Sequence, residues 1–353
     1  MIRSPLTLAL LSLALSACSP ADPQQGVSRA LADGVLLPAY SSWAEANRQL
    51  AQSGQAFCAD QQNLSDARQA FLTAQSAWAG LQPLLIGPLA EGNRAWQVQF
   101  WPDKKNLVAR QVEALLKSKP ALTPADLDKS SVVVQGLSAY EYLVYDPAID
   151  LANAEQKARY CPLLVAIGQH QQALAADVLD RWQAKGGMAA QLQGFPNERY
   201  AESAEAVAEL LRTQVSALDG LKKKLGTPLG RQSKGQPQPY QAEAWRSQAS
   251  LANLAAGLAS AERIWRGAEQ DGVQALLSDD QSALQQRIDA AYSDTRQRLA
   301  AQQRPLGELL DDEAGRNELN ALYDSLNALH RLHETELANS LGIQMGFNAH
   351  DGD

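Results

Sequence analysis

The sequence predicts an all-α protein built as two helical-bundle domains, and three observations lead there. Apolar residues recur at helical spacing almost throughout, the fullest case being Leu64, Ala67, Phe71, Ala74, Trp78, Leu81 and Leu85. Steps of three and four residues keep such side chains on one face of a helix. No segment holds the strict alternation of a half-buried strand. Two Gly- and Pro-rich breaks, Lys185 to Pro196 and Gly226 to Tyr240, interrupt the pattern. The first divides the helices into an N-terminal bundle, residues 35–186, and a C-terminal bundle, residues 187–353.

Taken in order, helices are predicted over 36–57 and from Leu64 until Pro83 removes a backbone donor and Gly87-Pro88 ends the run. Further helices are predicted over 104–118, 124–145 and 154–184. Val132-Val133-Val134 is β-branched enough to start a strand, but it continues into Leu137, Tyr140 and Val144 at helical spacing. In the second half, one stripe runs through Ala204, Val207, Leu211, Leu218, Leu221 and Leu225, and another through Leu251, Leu254, Leu258, Ala261 and Trp265. Two more helices fall over 280–302 and 314–341. The break from Gly226 to Tyr240 is a long loop inside the second group, and long ordered loops in compact domains tend to carry function.

The N-terminus reads as an export signal. Arg3 precedes an apolar run from Leu6 to Leu15, too short to span a bilayer as a mature helix. Leu15-Ser16-Ala17-Cys18 then resembles the lipobox of a bacterial lipoprotein. On that reading residues 1–17 are removed, Cys18 carries a lipid, and 18–34, small and polar with Pro20, Pro23 and Gly26, forms a flexible tether. Ser19 after the cysteine resembles proteins sorted to the outer membrane, facing the periplasm or the cell surface. The 31 basic and 39 acidic side chains, net −8, argue against nucleic acid and against a polybasic membrane footprint. Membrane attachment therefore falls to the lipid. If Cys18 is lipidated, the remaining Cys58 and Cys161 make an even pair in an oxidising compartment, and a disulfide between them is expected.

Histidine is scarce: His170, His330, His333 and His350. No His-Glu-x-x-His, Gly-x-Ser-x-Gly or phosphate-binding glycine loop occurs. The closest metal-like group is His330, His333 and Glu334; His330 and Glu334 stand one helical turn apart. Against that, His333 continues the stripe Leu326, Leu329, Leu337 and Leu341, as a hydrogen-bonded core histidine would. Glu141 stands out more. It lies four residues after Leu137 and three before Val144, with Tyr140, Tyr142 and Tyr145 around it and Ser138 on the same face. A carboxylate on an apolar face is costly unless paired, hydrogen-bonded or bound to metal; the alternative is a solvated glutamate at the edge of the stripe.

Gly136-Leu137-Ser138-Ala139-Tyr140-Glu141 resembles the Gly-x-His-x-x-Glu motif of the imelysin family, exported bacterial proteins classed as metallopeptidases and linked to iron acquisition. Val35 to Tyr40 is similar to the family's opening helix, and Ile86-Gly87-Pro88 and Phe100-Trp101-Pro102-Asp103 to its N-terminal loops. Lys224 to Gly230, followed by Glu243-Ala244-Trp245-Arg246-Ser247 and Ser250, and the ending Gly346 to Asp353 also match in order. The resemblance covers residues 35 to 353. The departure is that the motif histidine is Ser138 here. A hydroxyl is a poor zinc ligand, and a catalytic zinc usually takes three protein ligands with His prominent among them.

The resemblance therefore implies a ligand-capturing lipoprotein more than a protease. Its cargo would be iron, haem or another metal species, taken up with membrane uptake proteins and held between the bundles. Glu141 is the expected central acceptor with Ser138 beside it, faced by Arg246, Ser247 and Ser250. Ser247, Ser250 and Asn253 are expected on one polar helix face, whose alternative role is simple solvation. Trp101 and Asp103 either line the cleft or cap a helix near Lys104. Asn348 and Asp351 offer hard oxygen ligands, or form a frayed acidic tail. Two other classes stay open: a zinc metallopeptidase with Glu141 as base or ligand, and a non-catalytic interaction scaffold.

Overall fold

The computed structural model describes residues 22–119 and 122–345, and these contain helices and turns with no strand. The protein is all-α, as the periodicity predicts. The segment read as an export signal, Cys18, Asn348 and Asp351 lie outside the described residues.

The stretch expected as a tether is helical from Pro23. Helix α1 (Pro23–Leu31) passes through a wider π-type turn (Ala32–Leu36) into α2 (Leu37–Cys58), so that 23–58 is one continuous rod. Asp22 starts it, accepting from Gln24 N at 2.9 Å, and Pro23 takes the first helical position, where its missing N–H costs nothing. The rod is tied down by apolar burial of Val27, Leu31, Ala32, Val35 and Leu36. Ser28 Oγ adds a bond to Leu192 O at 2.7 Å, and Ser203 Oγ donates to Asp22 Oδ2 at 2.5 Å. The sequence looks linker-like here because this face is narrow and its other residues are small.

Helix α3 (Leu64–Leu81) carries the fullest predicted stripe. A capping box between Asn63 and Asp66 opens it, an arrangement worth about 1 kcal/mol. Short 3₁₀ turns at Gln82–Leu84 and Gly87–Leu89 close it, where Pro83 and Pro88 predicted an end. Helices α4 (Arg94–Val98) and α5 (Leu107–Ser118) follow. The helix predicted over 124–145 is broken into α6 (Pro124–Asp128), a 3₁₀ turn (Val132–Val134) and α7 (Leu137–Tyr145). The break has a steric cause at Gly136, where a Cβ would sit 2.4 Å from the Val98 carbonyl oxygen. Only glycine lets α7 begin against the end of α4. The turn carbonyls around it are satisfied by buried glutamine side chains: Gln171 Nε2 donates to Gln97 O and Gln135 O, and Gln135 Nε2 to Leu127 O and Ser130 O.

Helix α8 (Ala154–Gln183) packs along α2, and the two are joined by the expected disulfide, Cys58–Cys161, which closes a span of 103 residues. A short α9 (Met188–Gln193) leads to α10 (Ser203–Gly226). After the loop come α11 (Ser250–Arg266), α12 (Ser282–Ala300), α13 (Leu306–Asp311), α14 (Glu313–Arg331), a second π-type turn (Leu332–Leu337) and α15 (Ala338–Ser340). Helices α2, α3 and α8 form one packed layer, while α10, α11, α12 and α14 form another. Helix α11 packs directly on α3, and a single apolar core, with Trp43, Trp182, Trp265, Tyr40, Tyr140 and Tyr292 fully buried, runs through both halves. No helix among the described residues is long and apolar enough to cross a membrane.

Candidate functional site

Helix α7 delivers Glu141 to the interior. Leu137, Ala139, Tyr140, Leu143 and Val144 bury its other faces, and Glu141 itself is only 5% exposed. The carboxylate is met from the far side of the chain: Ser247 N and Ser247 Oγ both donate to Glu141 Oε1, at 2.8 and 2.7 Å. Burial pushes the Glu141 carboxyl above its ordinary range and the neighbouring Glu243 adds to that push. The two Ser247 bonds and the Arg246 charge oppose it incompletely. Ser247 sits in a tight turn bracketed by Ala244 (φ 52°) and Gln248 (φ 59°), both in the left-handed region that side-chain-bearing residues avoid. Strain of this kind, of order 1–3 kcal/mol per residue, clusters where a backbone must be aimed.

Beside this contact lies a buried ion pair. Lys224, at the end of α10, reaches Glu243 Oε1 at 2.5 Å, also donates to Gln82 Oε1, and stands 6.0 Å from the Trp101 ring centre. Burial pulls the Lys224 ammonium pKa down, and Glu243 pulls it back up. Gln82 and Trp78 both donate to Gln99 Oε1, so the network continues into α3. Glu243 Oε2 and Asn253 Nδ2 are buried with no partner among the described residues. Ser250 Oγ donates to Glu243 O.

A cleft of about 600 Å³ opens next to these groups. Asp103, Lys104, Lys105 and Asn106 line it on one side. Asp146, at the end of α7, and Pro237 to Gln241 with Trp245 and Arg246 complete its lining. Arg246 spans it, with Nε on Asp146 Oδ2 at 2.7 Å, Nη2 on Asn106 Oδ1 at 3.3 Å, and the guanidinium 4.3 Å from the Trp245 ring centre. Trp101 Nε1 donates to Gln241 O at 3.0 Å, another tie across the two halves of the chain.

The structure thus brings together Glu141, Ser247, Arg246, Trp101 and Asp103, with Ser250 one turn behind. Asp103 does both things proposed for it: it borders the cleft and caps α5, accepting from Leu107 N at 2.6 Å and Val108 N at 3.0 Å. Ser138 is near in sequence but turned aside, its hydroxyl donating to Phe100 O at 2.8 Å. The single polar helix face expected for Ser247, Ser250 and Asn253 does not form. Ser247 precedes α11, and Ser250 and Asn253 are buried, because the tight turn feeds α11 inward against α3. Sequence reasoning passed over Lys224, Glu243, Asp146, Asn106, Tyr240 and Trp245. Lys224, Glu243 and Trp245 lay inside segments already noted for their resemblance, but nothing local marks a lysine and a glutamate nineteen residues apart as a buried pair.

The histidine group is elsewhere. His333 is fully buried, with Nδ1 on Leu329 O at 3.0 Å and Nε2 facing the Tyr292 hydroxyl at 3.3 Å, and its ring lies edge-on to Trp265 and Tyr292. Burial lowers its pKa to about 4. His330 faces Lys222 Nζ at 3.2 Å, with Glu334 3.8 Å away. The two imidazoles therefore serve separate contacts, which corrects the grouping of His330, His333 and Glu334 as shared ligands. Among the described residues, no three His, Cys, Asp or Glu side chains come together as a metal site. Nor do the residues of the motif fit a catalytic zinc. The Ser138 hydroxyl is committed to a carbonyl, Glu141 Oε1 is occupied by Ser247, and the cationic Arg246 acts on the same carboxylate.

These features define a wholly helical protein with a polar seam and an open cleft where its first and second halves meet. Residues 36–333 match the family model of imelysin, peptidase M75, and the chain belongs to that family. Over 297 residues it is 24% identical to iron-regulated protein A of Synechococcus elongatus, covering 80% of this chain and 77% of that protein. Among solved structures, an imelysin-like protein from Psychrobacter arcticum superposes with a TM-score of 0.79 at 24% identity, covering 92% of this chain and 97% of the other. A protein from Parabacteroides distasonis, assigned as an iron-regulated protein A precursor, gives 0.74 at 16% identity, covering 91% and 97%. At these identities the structural likeness establishes the fold.

Proposed function

We propose that this chain is an exported imelysin-family protein that captures a cargo for iron acquisition. The cargo is received in the cleft beside Glu141, and the chain is held at a membrane through a lipid on Cys18. The observation that carries the reading is the contact of Glu141 with Ser247, a buried carboxylate met across the chain by donors from a strained turn. Buried carboxylates, backbone strain and an adjoining cleft converge at binding sites more often than at purely structural contacts. Similarity to iron-regulated proteins from two other bacteria supports iron as the element concerned. The export signal read at the N-terminus agrees with the precursor form of one of them. In this role Glu141 and Ser247 set the position of Arg246 at the cleft wall, and membrane uptake proteins would receive the cargo.

The test is iron analysis together with hemin and ferric citrate titration of the purified chain, comparing wild type with Glu141→Ala. Helical content is checked by circular dichroism. Stoichiometric binding that weakens at least tenfold in a folded variant is the expected result. Chelator-sensitive cleavage of a general protein substrate, restored by zinc, would overturn the reading in favour of a peptidase.

A further inference from the structure

We infer that the cleft takes its cargo as an anionic, carboxylate-bearing iron complex with a flat apolar body, and not as a bare cation. This deepens the capture reading and rests on it.

The cleft wall carries more cations than carboxylates. Two carboxylates line it, and both are already satisfied. Asp103 accepts from the backbone of Leu107 and Val108, while Asp146 is held by Arg246 and by Ala148 N. Their hydrogen bonds aim both carboxylates at the protein itself, and Asp146 shares its charge with Arg246. The cations outnumber them: Arg246 is matched by Asp146, but Lys104 and Lys105 are exposed and neither has an ion-pair partner among the described residues. Lys104 has only a long 3.5 Å contact with Gln232 Oε1. Three cations against two carboxylates leave this cleft one positive charge in excess, on a chain of net charge −8. At physiological salt, charges more than about 8 Å away are largely screened, so the local ammonium groups decide what binds.

The second observation is aromatic. Tyr240 is 70% exposed, one of two large apolar side chains left so open among the described residues, and it lines the cleft. Its ring meets Trp245 edge-on at 5.0 Å, leaving a face toward solvent. An exposed tyrosine braced by a tryptophan, next to lysines, suits a planar ligand that stacks through its body and pairs through its carboxylates. The volume, about 600 Å³, falls within the usual range for sites that hold cofactor-sized ligands.

The experiment is equilibrium dialysis of the full chain against four probes: hemin, metal-free protoporphyrin, ferric citrate, and ferrous ion under anaerobic conditions. Hemin and protoporphyrin should bind within a few-fold of one another, since the contacts are to ring and carboxylates. Ferric citrate should bind more weakly, and ferrous ion not at all in this cleft. Charge reversal in Lys104→Glu with Lys105→Glu should weaken hemin roughly tenfold or more, and Tyr240→Ala roughly three- to fivefold. All three positions are exposed, so folding is not at stake. Binding of ferrous ion more tightly than either complex overturns the inference and leaves the capture reading standing. So does hemin affinity within twofold of wild type in the lysine variant. Failure of every iron-bearing probe to bind wild type overturns the capture reading itself.

Discussion

Glu141 and His333 look alike in the sequence, each a titratable residue on an apolar helix face, yet the fold treats them in opposite ways. His333 is sealed among Trp265, Tyr292 and Leu329, its ring nitrogens engaged by one hydroxyl and one carbonyl, with no exposed surface of its own. Glu141 is met from the other half of the chain by a strained turn whose next-door residue, Arg246, forms the wall of an open cleft. Burial alone therefore does not mark a functional group. The mark is where its partners come from, and whether they also touch solvent.

The largest effect expected from breaking this comparison lies in the ion pair that supports the Glu141 side. Lys224 and Glu243 are almost wholly buried, and removing one partner strands the other charge, a cost of about 3–5 kcal/mol. Glu243→Leu should lower unfolding free energy by that amount in urea titration. The double variant Glu243→Leu with Lys224→Met should recover most of it, because the desolvation cost disappears with the second charge. A single variant as stable as wild type would mean that the pair is solvated.

The next expectation is that the two regions depend on pH with opposite sign. His333 has its pKa lowered from 6.5 to about 4, so the unfolded chain binds its proton first. Its contribution is complete above about pH 6.5 and is lost as pH falls through about 4, roughly 3 kcal/mol in all. His330, also lowered by burial, acts in the same direction. Glu141 has its pKa raised, so its contribution is present below the ordinary glutamate value and is lost as pH rises through the folded one. Unfolding free energy measured from pH 4 to 8 should therefore gain from the histidines as pH rises and lose from Glu141. His333→Gln should flatten the rising part, and Glu141→Gln the falling part. If Glu141→Gln leaves the profile unchanged, the carboxylate is not desolvated as its surroundings imply.

The residues that the sequence made legible are those whose signal is local. The stripe through Leu64 and Trp78 gave α3, and Pro83 with Gly87-Pro88 gave its end. Parity gave the Cys58–Cys161 pair. The Gly136-to-Glu141 segment singled out α7 and its carboxylate. What stayed hidden depends on contacts between distant segments. Residues 23–34 look like a linker until α9 and α10 are in place to cover Val27 and Leu31. The break at Gly136 follows from where the Val98 carbonyl happens to lie. Lys224 and Glu243, nineteen residues apart, have no local sign of pairing until the loop between them folds back. Tyr240, in a Pro-rich loop, carries no periodicity at all. In each case the missing information is tertiary, and the cleft is made almost entirely of it.

The smallest effect is the most discriminating for the idea that partner origin matters. Ser247 and Arg287 both bridge distant segments through a carboxylate: Ser247 to Glu141, and Arg287 to Glu336 in a bidentate pair at 2.5 and 2.7 Å. Each contact has two hydrogen bonds, and by distance and formal charge the arginine pair looks stronger. It lies in solvent, however, with both side chains more than two-fifths exposed, where screening and side-chain entropy cancel most of the Coulomb gain. Arg287→Ala should leave the unfolding midpoint within error. Ser247→Ala removes only a hydroxyl, but it leaves a buried carboxylate short of a donor, and should cost about 1–3 kcal/mol. The backbone donor from Ser247 remains, which keeps the loss at the lower end of that range. Equal losses in the two variants would show that the Glu141 contact is as wet as the surface pair, and that its burial confers no special strength.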